Sequence, residues 1–266
     1  MCGRYAASRS PADLVEEFEV VASDVTESLA PDYNVAPTKT VPAVIERPPR
    51  GEPQGAAVRR LIALRWGLVP SWAKNPAIGN RLINARMETV ADKPAYRRAF
   101  AARRALLPAD GYYEWYPTSE LGRGGKPVKQ PFFIRPRDGS RLAMAGLYEI
   151  WRDPTRDEDD PARFRWTCTV LTTSAEDDLG HIHDRMPLSV EPHRYAAWLD
   201  PTASSPEELK GLLVPAAPGR LEAFPVSTQV NNVKNNGADL VQPLAPEPAP
   251  ERPGSSGDSG TGMVGR

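Results

Sequence analysis

Short apolar runs separated by turn residues set the pattern of this chain. Most are rich in β-branched or aromatic residues and are bounded by turn-forming residues, which is typical of strands. The seven clearest runs are RLIALRW, RALLP, GYYEWY, PFFIR, LAMAGLYEIW, RWTCTVLTT and EAFPVS. Because so many short strands need their edges covered, these runs predict a curved or closed sheet.

Four other segments have the spacing of helices. Ser10 precedes Pro11 and the run ADLVEEFEV, which supplies an N-cap, a proline in the first turn and apolar residues at helical intervals. The other three segments are KPAYRRAFAAR, PHRYAAWL and PEELKGLL. The strands stand in series and do not alternate regularly with helices. The sequence therefore predicts an α+β fold: a single domain with a curved, barrel-like, mostly antiparallel sheet flanked by short helices.

The predicted domain spans residues 1–243. The chain has 266 residues, of which 40% are hydrophobic, and its 29 prolines and 20 glycines fit a core connected by many turns. From 244 to 266, Pro, Gly and Ser replace almost all apolar residues, so a disordered tail is expected there. The acidic run at 156–160 is expected to form an exposed loop.

Composition and charge exclude several classes of protein. No apolar run is long enough to span a membrane, and the first residues lack the pattern of a secretory signal. Two cysteines imply no disulfide framework, which fits a cytoplasmic protein, and Cys168 in its apolar run is expected to be an inert core thiol. The net charge of −1 argues against coating of nucleic acid by bulk attraction.

One stretch of the chain is locally basic. Between residues 81 and 104, seven basic side chains stand against two acidic ones, Glu88 and Asp92. The basic residues are Arg81, Arg86, Lys93, Arg97, Arg98, Arg103 and Arg104. This local excess can contact phosphates, whereas a solvated helix face is the ordinary explanation of a charge run.

Cys2 directly follows the initiator methionine. Chain ends fray unless something ties them down, so position 2 is a poor place for a structural residue. If Met1 is removed, Cys2 carries a thiol and a free α-amine on adjacent carbons, and an α-amine, with an ordinary pKa of about 7.7–8.0, is partly neutral at physiological pH. A neutral amine attacks an aldehyde to form a Schiff base, and the neighbouring thiol can then close a five-membered ring.

Three further motifs hold polar residues that could carry chemistry. NARMET contributes Asn84 and Arg86. GYYEW places Glu114 among aromatic residues, where it is either a surface group or, if it points inward, a carboxyl whose pKa burial raises toward neutrality. HIHDRMP contains His181 and His183, whose spacing would suit two metal ligands on one side of a strand. No other cysteine–histidine cluster supports a metal, and none is expected.

Taken together, the motifs resemble the SRAP family, whose members are named SOS-response-associated peptidases and are abasic-site-processing proteins. MCGRY, YNVAPT, RWGLVPSWAK, NARMET, RRALLPADGYYEW, AGLYEIW, TTSA and IHDRMP occur in the family's order and cover about residues 2–235. Two departures are Ala105, where the family often has cysteine, and Tyr148, where tryptophan is common. Both are expected to change packing and to leave the chemistry in place.

The resemblance implies a function. The family senses abasic sites in single-stranded DNA, whose ring-opened sugar exposes an aldehyde. The α-amine of Cys2 would form a Schiff base with that aldehyde, and its thiol would close a stable thiazolidine. Asn84 would hold the sugar end, Glu114 would shuttle protons and His183 would act as an acid or base on the opened sugar. No metal or other cofactor is needed, and a monomer is expected.

The resemblance also implies a DNA-binding surface. Arginines would grip the flanking phosphates, and the RWGL segment would stack on or wedge between bases. A core position is the alternative for Trp66, and also for Trp72. The implied DNA-binding residues are Arg4, Trp66, Gly67, Leu68, Arg86 and Arg185.

Two other functions could use the same residues. In a cysteine peptidase, Cys2 would be the nucleophile, His183 the base and Glu114 or Asn84 the orienting group, and removal of Met1 could be autocatalytic. A peptidase, however, needs neither a terminal nucleophile nor a basic tract. A noncatalytic module that binds single strands would use the arginines and tryptophans, and it would release DNA on denaturation.

Overall fold

The chain forms short helices and many strands. The computed structural model describes residues 2–25, 29–49, 51–52, 55–122, 124–175 and 179–245. In these ranges the α-helices are α1 (Pro11–Glu17), α2 (Arg97–Ala102), α3 (Tyr195–Leu199) and α4 (Pro206–Gly211). The 3₁₀ turns are Pro76–Arg81, Pro161–Arg163, Pro192–Arg194, Thr228–Asn231 and Ala238–Val241. The strands are β1 (Tyr5–Ala7), β2 (Ala22–Ser23), β3 (Asp32–Val35), β4 (Thr40–Arg47), β5 (Val58–Trp66), β6 (Asn84–Arg86), β7 (Arg104–Ala109), β8 (Gly111–Leu121), β9 (Pro127–Pro136), β10 (Leu142–Arg152), β11 (Phe164–Ser174), β12 (Arg185–Pro187) and β13 (Leu221–Pro225).

Five strands close into a barrel. β10, β7, β4 and β5 pair antiparallel in that order, and β11 pairs antiparallel with β10 and parallel with β5. Two residue pairs between β11 and β5 close the barrel: Thr167 lies opposite Arg65, and Cys168 lies opposite Trp66. Cys168 has no exposed surface and belongs to the apolar cluster that the barrel strands share with the second sheet. The predicted barrel-like, mostly antiparallel sheet and the core position of Cys168 are both confirmed.

The second sheet holds the amino-terminal strand. Its five strands are antiparallel in the order β13-β9-β8-β1-β3. β1 lies inside this sheet, with Tyr5 opposite both Tyr112 of β8 and Val35 of β3. Because β1 is paired along both edges, it holds the first residues of the chain in place, where a chain end would otherwise fray.

The predicted helices and strands are all present, although α2 begins four residues later than its pattern suggests. Ser10 caps α1 as expected, since its hydroxyl accepts from the N–H of Asp13 at 3.2 Å. The loop at 156–160 is largely exposed, also as expected. Most of the predicted tail, residues 246–266, lies outside the described residues. None of the helices in the described ranges has the length and apolarity needed to cross a membrane.

Six strands have no counterpart in the sequence prediction. Five of them are only two to four residues long, so they have little local signal, and pairing with longer neighbours defines them. The sixth, β4, contains Pro42, a residue that ordinarily interrupts a strand. These strands are β1, β2, β3, β4, β6 and β12.

Two arginines of the basic tract are part of the fold. Arg104 is 2% exposed, and its guanidinium donates to the carbonyls of Phe100 and Trp198 at 2.7 Å, and to those of Asp200 and Ala203. Arg103 pairs with the buried Glu149 at 2.7 Å. Arg104 is therefore unavailable to phosphates, which corrects the expectation for that residue, whereas Arg103, 29% exposed, is held by its ion pair. The other five basic residues are exposed.

Replacing Arg104 with methionine is expected to lower the free energy of unfolding by about 3 kcal/mol, because four carbonyl groups lose a charged donor. Urea unfolding followed by tryptophan fluorescence measures the change. Arg97→Met, on the exposed side of α2, is the matched control and should stay within about 0.5 kcal/mol of the wild type. Unchanged stability of the Arg104 variant would contradict a structural role.

Candidate active site at the amino-terminal strand

Cys2 is fixed by contacts on two sides. Its backbone carbonyl accepts a hydrogen bond from Asn84 Nδ2 at 2.7 Å, and its thiol lies 3.7 Å from the carbonyl oxygen of Arg4. The residue has no exposed surface and packs in the same cluster as Tyr5 and Tyr112. Residue 2 therefore has a defined position, unlike an ordinary chain end.

Asn84 is aimed at Cys2 by strand β6. This three-residue strand pairs parallel with β11, where Asn84 lies opposite Val170. The carbonyl of Asn84 accepts from the Tyr96 hydroxyl at 3.0 Å, so the residue is held from both sides while its amide reaches Cys2. The structure thus brings together two residues that are far apart in sequence and that the motifs had singled out separately.

Glu114 points inward. It is 4% exposed on β8, directly opposite Phe132 of β9. Burial raises the pKa of Glu114 to about 7, and the charge of Asp184 adds a smaller increase. The same carboxylate acts on Cys2, since burial first and then the charge of Glu114 raise the pKa of the Cys2 thiol. Glu114 therefore lies close to Cys2, and near neutral pH it can both take up and give up a proton.

His183 faces the same region. Burial lowers its pKa, with a smaller opposing effect from Asp184, whose Oδ1 is 2.9 Å from Nδ1. Nδ1 also accepts the backbone N–H of Arg185 at 3.0 Å, so the neutral ring carries its proton on Nε2. The charge of Lys129 acts on both His183 and Glu114, which indicates that the two groups share one neighbourhood.

The predicted phosphate-binding arginines have different surroundings. Arg4 is half-buried and donates to Asn34 Oδ1 at 2.6 Å and to the carbonyl of Val230 at 2.8 Å. Arg185 donates to both carboxylate oxygens of Glu88, at 2.7 and 3.0 Å. Arg86 is exposed. Of the three, Arg86 has the most accessible guanidinium, and the other two connect parts of the fold.

The RWGL segment occupies the core. Trp66 and Leu68 have no exposed surface, and Trp66 Nε1 donates to the carbonyl of Ile83 at 2.9 Å. Gly67 has a φ of +123°, and a Cβ there would lie 2.6 Å from the carbonyl oxygen of Gly79, so only glycine fits. Trp66 therefore occupies a core position, which was the alternative to stacking on bases. Trp72, 52% exposed, presents part of its ring to solvent.

The paired histidines do not form part of a metal-binding cluster in the described residues, where no group of three or more His, Cys, Asp or Glu side chains could hold an ion. His181 is exposed, and its ring meets that of Tyr116 edge to face, with centroids 6.0 Å apart. The contact places His181 beside Tyr116 of β8.

The fold and the candidate site define a small barrel protein with a buried cysteine at its second position. The model of the SOS response associated peptidase (SRAP) family matches residues 1–233, and the chain belongs to this family.

Curated relatives and solved structures agree with this assignment. The chain is 36% identical over 241 residues to the abasic site processing protein YoaM of Bacillus subtilis, covering 91% of this chain and 97% of the relative. It is 33% identical over 251 residues to the abasic site processing protein YedK of Escherichia coli, covering 92% and 100%. A crystal structure of a Bacteroides thetaiotaomicron protein, 23% identical, superposes with a TM-score of 0.75 over 92% of this chain and 100% of that one, which shows the same fold.

The raised pKa of Glu114 predicts a pH-dependent stability. Because the folded-state pKa of about 7 lies above 4.5, the ordinary value for a glutamate, the folded state binds more protons between these values, and stability falls as pH rises through that range. Glu114→Gln should therefore gain stability relative to the wild type between pH 5 and pH 8, by on the order of 2 kcal/mol.

Urea unfolding at the two pH values tests this prediction. Glu120→Gln is the matched control, because Glu120 is an exposed carboxylate on the same strand. If both variants differ from the wild type by the same amount at pH 5 and pH 8, the carboxyl of Glu114 is not desolvated.

Proposed function

We propose that this protein recognises abasic sites in single-stranded DNA and links itself to them covalently through Cys2. The family assignment and the names of the curated relatives support a role at abasic sites. The single observation that carries the covalent step is the placement of Cys2 between Asn84 and the buried carboxyl of Glu114. A site that only bound DNA would not need a proton-exchanging group next to the chain end.

The proposed chemistry requires removal of Met1, which frees the α-amine of Cys2. The neutral amine attacks the sugar aldehyde, and the resulting carbinolamine loses water to give an imine. The thiol then adds to the imine carbon while its proton passes to the nitrogen, which closes a thiazolidine. One water molecule leaves, and no oxidant, metal or cofactor takes part.

Glu114 would move the protons of this sequence. With a pKa of about 7 it can accept a proton from the α-ammonium group and return it to the carbinolamine hydroxyl as water leaves. Asn84 holds the carbonyl of Cys2 and would keep the amine directed at the sugar. The Nε2–H of neutral His183 would donate to a hydroxyl of the opened sugar.

DNA would be held mainly by exposed groups. Arg86 would contact a phosphate next to the abasic sugar, and the half-buried Arg4 would add a second contact. Both terminal nitrogens of Arg185 already donate to Glu88 and Thr172, so Arg185 would reach DNA only by exchanging part of these bonds. The exposed ring of Trp72 suits stacking on a base better than the buried ring of Trp66 does. We propose that the folded domain, residues 2–243, carries this activity as a monomer.

The peptidase alternative is disfavoured by the state of the thiol. A cysteine nucleophile needs a lowered pKa, and ordinarily a positive neighbour supplies it. Here burial and then the charge of Glu114 raise the pKa of the Cys2 thiol, and burial lowers the pKa of His183. Both groups are thus neutral near pH 7. The proposed mechanism fits this environment better, because a neutral amine attacks the aldehyde first and the neutral thiol adds to the imine afterwards.

Purified protein incubated with an oligonucleotide carrying one abasic site should give a covalent species on a denaturing gel, and intact DNA should give none. Cys2→Ser keeps the α-amine but lacks the sulfur, so little heat-stable adduct should remain. Borohydride should still trap this variant because it reduces the imine.

An uncleavable extension before Cys2 is the matched control, since it keeps the thiol and blocks the amine. It should abolish both adducts, and mass spectrometry of the active protein should find Met1 absent. Equal capture by the extended and the mature proteins would overturn the proposed mechanism and favour a reaction at the thiol alone.

A further inference from the structure

An apolar cleft of about 260 Å³ opens next to the candidate active site. Its walls come from β9, β13 and the segment that leads into β12, with Arg137 and His181 as polar groups at its edge. The apolar residues that line it include Phe132, Leu179, Ile182, Met186 and Leu221. None of these side chains has a role in the chemistry proposed for Cys2.

The cleft lies beside the residues proposed for catalysis. Phe132 lies directly opposite Glu114 in the β8–β9 pair, so both side chains project from the same face of the sheet. On the other wall, His181 stands two residues before His183. A DNA strand whose abasic sugar reaches Cys2 and Glu114 would therefore bring a neighbouring nucleotide to this cleft.

Aromatic rings form the rim. Tyr116, 39% exposed, meets the ring of His181 at 6.0 Å and the ring of Phe132 at 6.4 Å, in both cases edge to face. Such rings offer surfaces on which a planar group can stack, and stacking of bases on aromatic side chains is a common way to hold single strands. The rim is thus suited to a flat, partly apolar ligand.

Size and polarity narrow the choice of ligand. Pockets for whole small molecules usually measure about 300–1,000 Å³, so a cleft of about 260 Å³ suits one ring system and not a complete nucleotide. Arg137 Nε donates to the carbonyl of Gly219 at 3.0 Å, which fixes the guanidinium at the edge of the cleft. From there it can donate to oxygen or nitrogen on the edge of a ring.

We propose that this cleft binds the nucleobase next to the abasic sugar, with the base between the rim of Tyr116 and His181 and the apolar wall. The proposal rests on the DNA-binding part of the proposed function. A base beside an abasic site in a single strand has lost a stacking partner on one side, so an aromatic surface of the protein can replace it. Because stacking tolerates any base, the cleft would fix the position of the strand without selecting a sequence.

Binding to an oligonucleotide with a tetrahydrofuran residue at the abasic position tests this proposal without chemistry, since tetrahydrofuran has no aldehyde. Three single strands are compared by fluorescence anisotropy: one with both neighbouring bases, one lacking the 5′ base and one lacking the 3′ base. Loss of one particular neighbour should weaken binding about tenfold, and loss of the other should have less effect.

The double variant Tyr116→Ala, His181→Ala should lose most of this dependence on the neighbouring base. Tyr116→Phe with His181→Phe keeps the rings and should retain it, which separates loss of stacking from loss of folding. Phe164→Ala is the matched control. Phe164 is a 51% exposed aromatic residue at the first position of β11, whereas the other end of this strand pairs with β12 beside the cleft. It should leave the dependence unchanged.

The proposed base site would be wrong if the wild type bound the three strands equally. It would also be wrong if the alanine double variant kept the full dependence of binding on the neighbouring base. Adduct formation with aldehyde-containing DNA is scored separately. If an adduct forms but binding does not depend on the neighbouring base, the proposed function stands and the base site in the cleft is rejected. If binding depends on the neighbouring base but no adduct forms, the covalent step is rejected and the base site is supported.

Discussion

The hydrogen bonds around Asn34 hold the amino-terminal strand in place, and the site depends on that strand. Asn34 is fully buried, accepts from Arg4 and donates through Nδ2 to the carbonyls of Asn232 and Asn235, at 3.0 and 2.9 Å. The carboxy-terminal part of the domain is thereby attached to residues near the chain start. Because β1 is also paired on both edges, Cys2 has a defined place in a region where most chains fray.

Burial has the same effect on the thiol of Cys2, the carboxyl of Glu114 and the imidazole of His183: it favours the uncharged form. It raises the pKa of the Cys2 thiol and of the Glu114 carboxyl, and it lowers the pKa of His183. A mechanism that begins with a charged thiolate would work against this environment. One that begins with a neutral amine and exchanges protons with a neighbouring carboxyl works with it, which is why the local electrostatics favour chemistry at the amine.

The sequence predicts the fold class and most long strands because their apolar runs are continuous and bounded by turn residues. It leaves the direction of Glu114 open, since alternation normally separates a buried from an exposed face, and here the two preceding positions, Tyr112 and Tyr113, are both buried. The sequence also does not decide whether Trp66 is buried in the core or exposed to DNA. Its burial follows from the parallel pairing of β5 with β11, a contact between segments about a hundred residues apart.

Some residues that build the site have no chemical signature of their own. Asn34 lies in the YNVAPT motif, which indicates that the segment matters but not that its amide supports the chain start. Tyr96 lies in a segment predicted to be helical, and only the fold shows that its hydroxyl holds Asn84. Structural residues of this kind act through backbone carbonyls, which no side-chain pattern records.

The pairing of Arg185 with Glu88 connects the two flanks of the site. β11 runs between β6, which carries Asn84, and β12, which follows His183, and Arg185 reaches past the carbonyl of Thr172, at 2.6 Å, to Glu88. The hydrogen bond from Arg185 lowers the pKa of Glu88, so the pair stays charged in mildly acidic solution.

Because Glu88 already balances the charge of Arg185, the local excess of positive charge near the site comes chiefly from exposed groups such as Arg86. A chain with a net charge of −1 can therefore be locally basic near its site and still not attract DNA along its whole surface. The ion pair keeps the flanks of the site together, and the exposed arginines remain accessible on the surface.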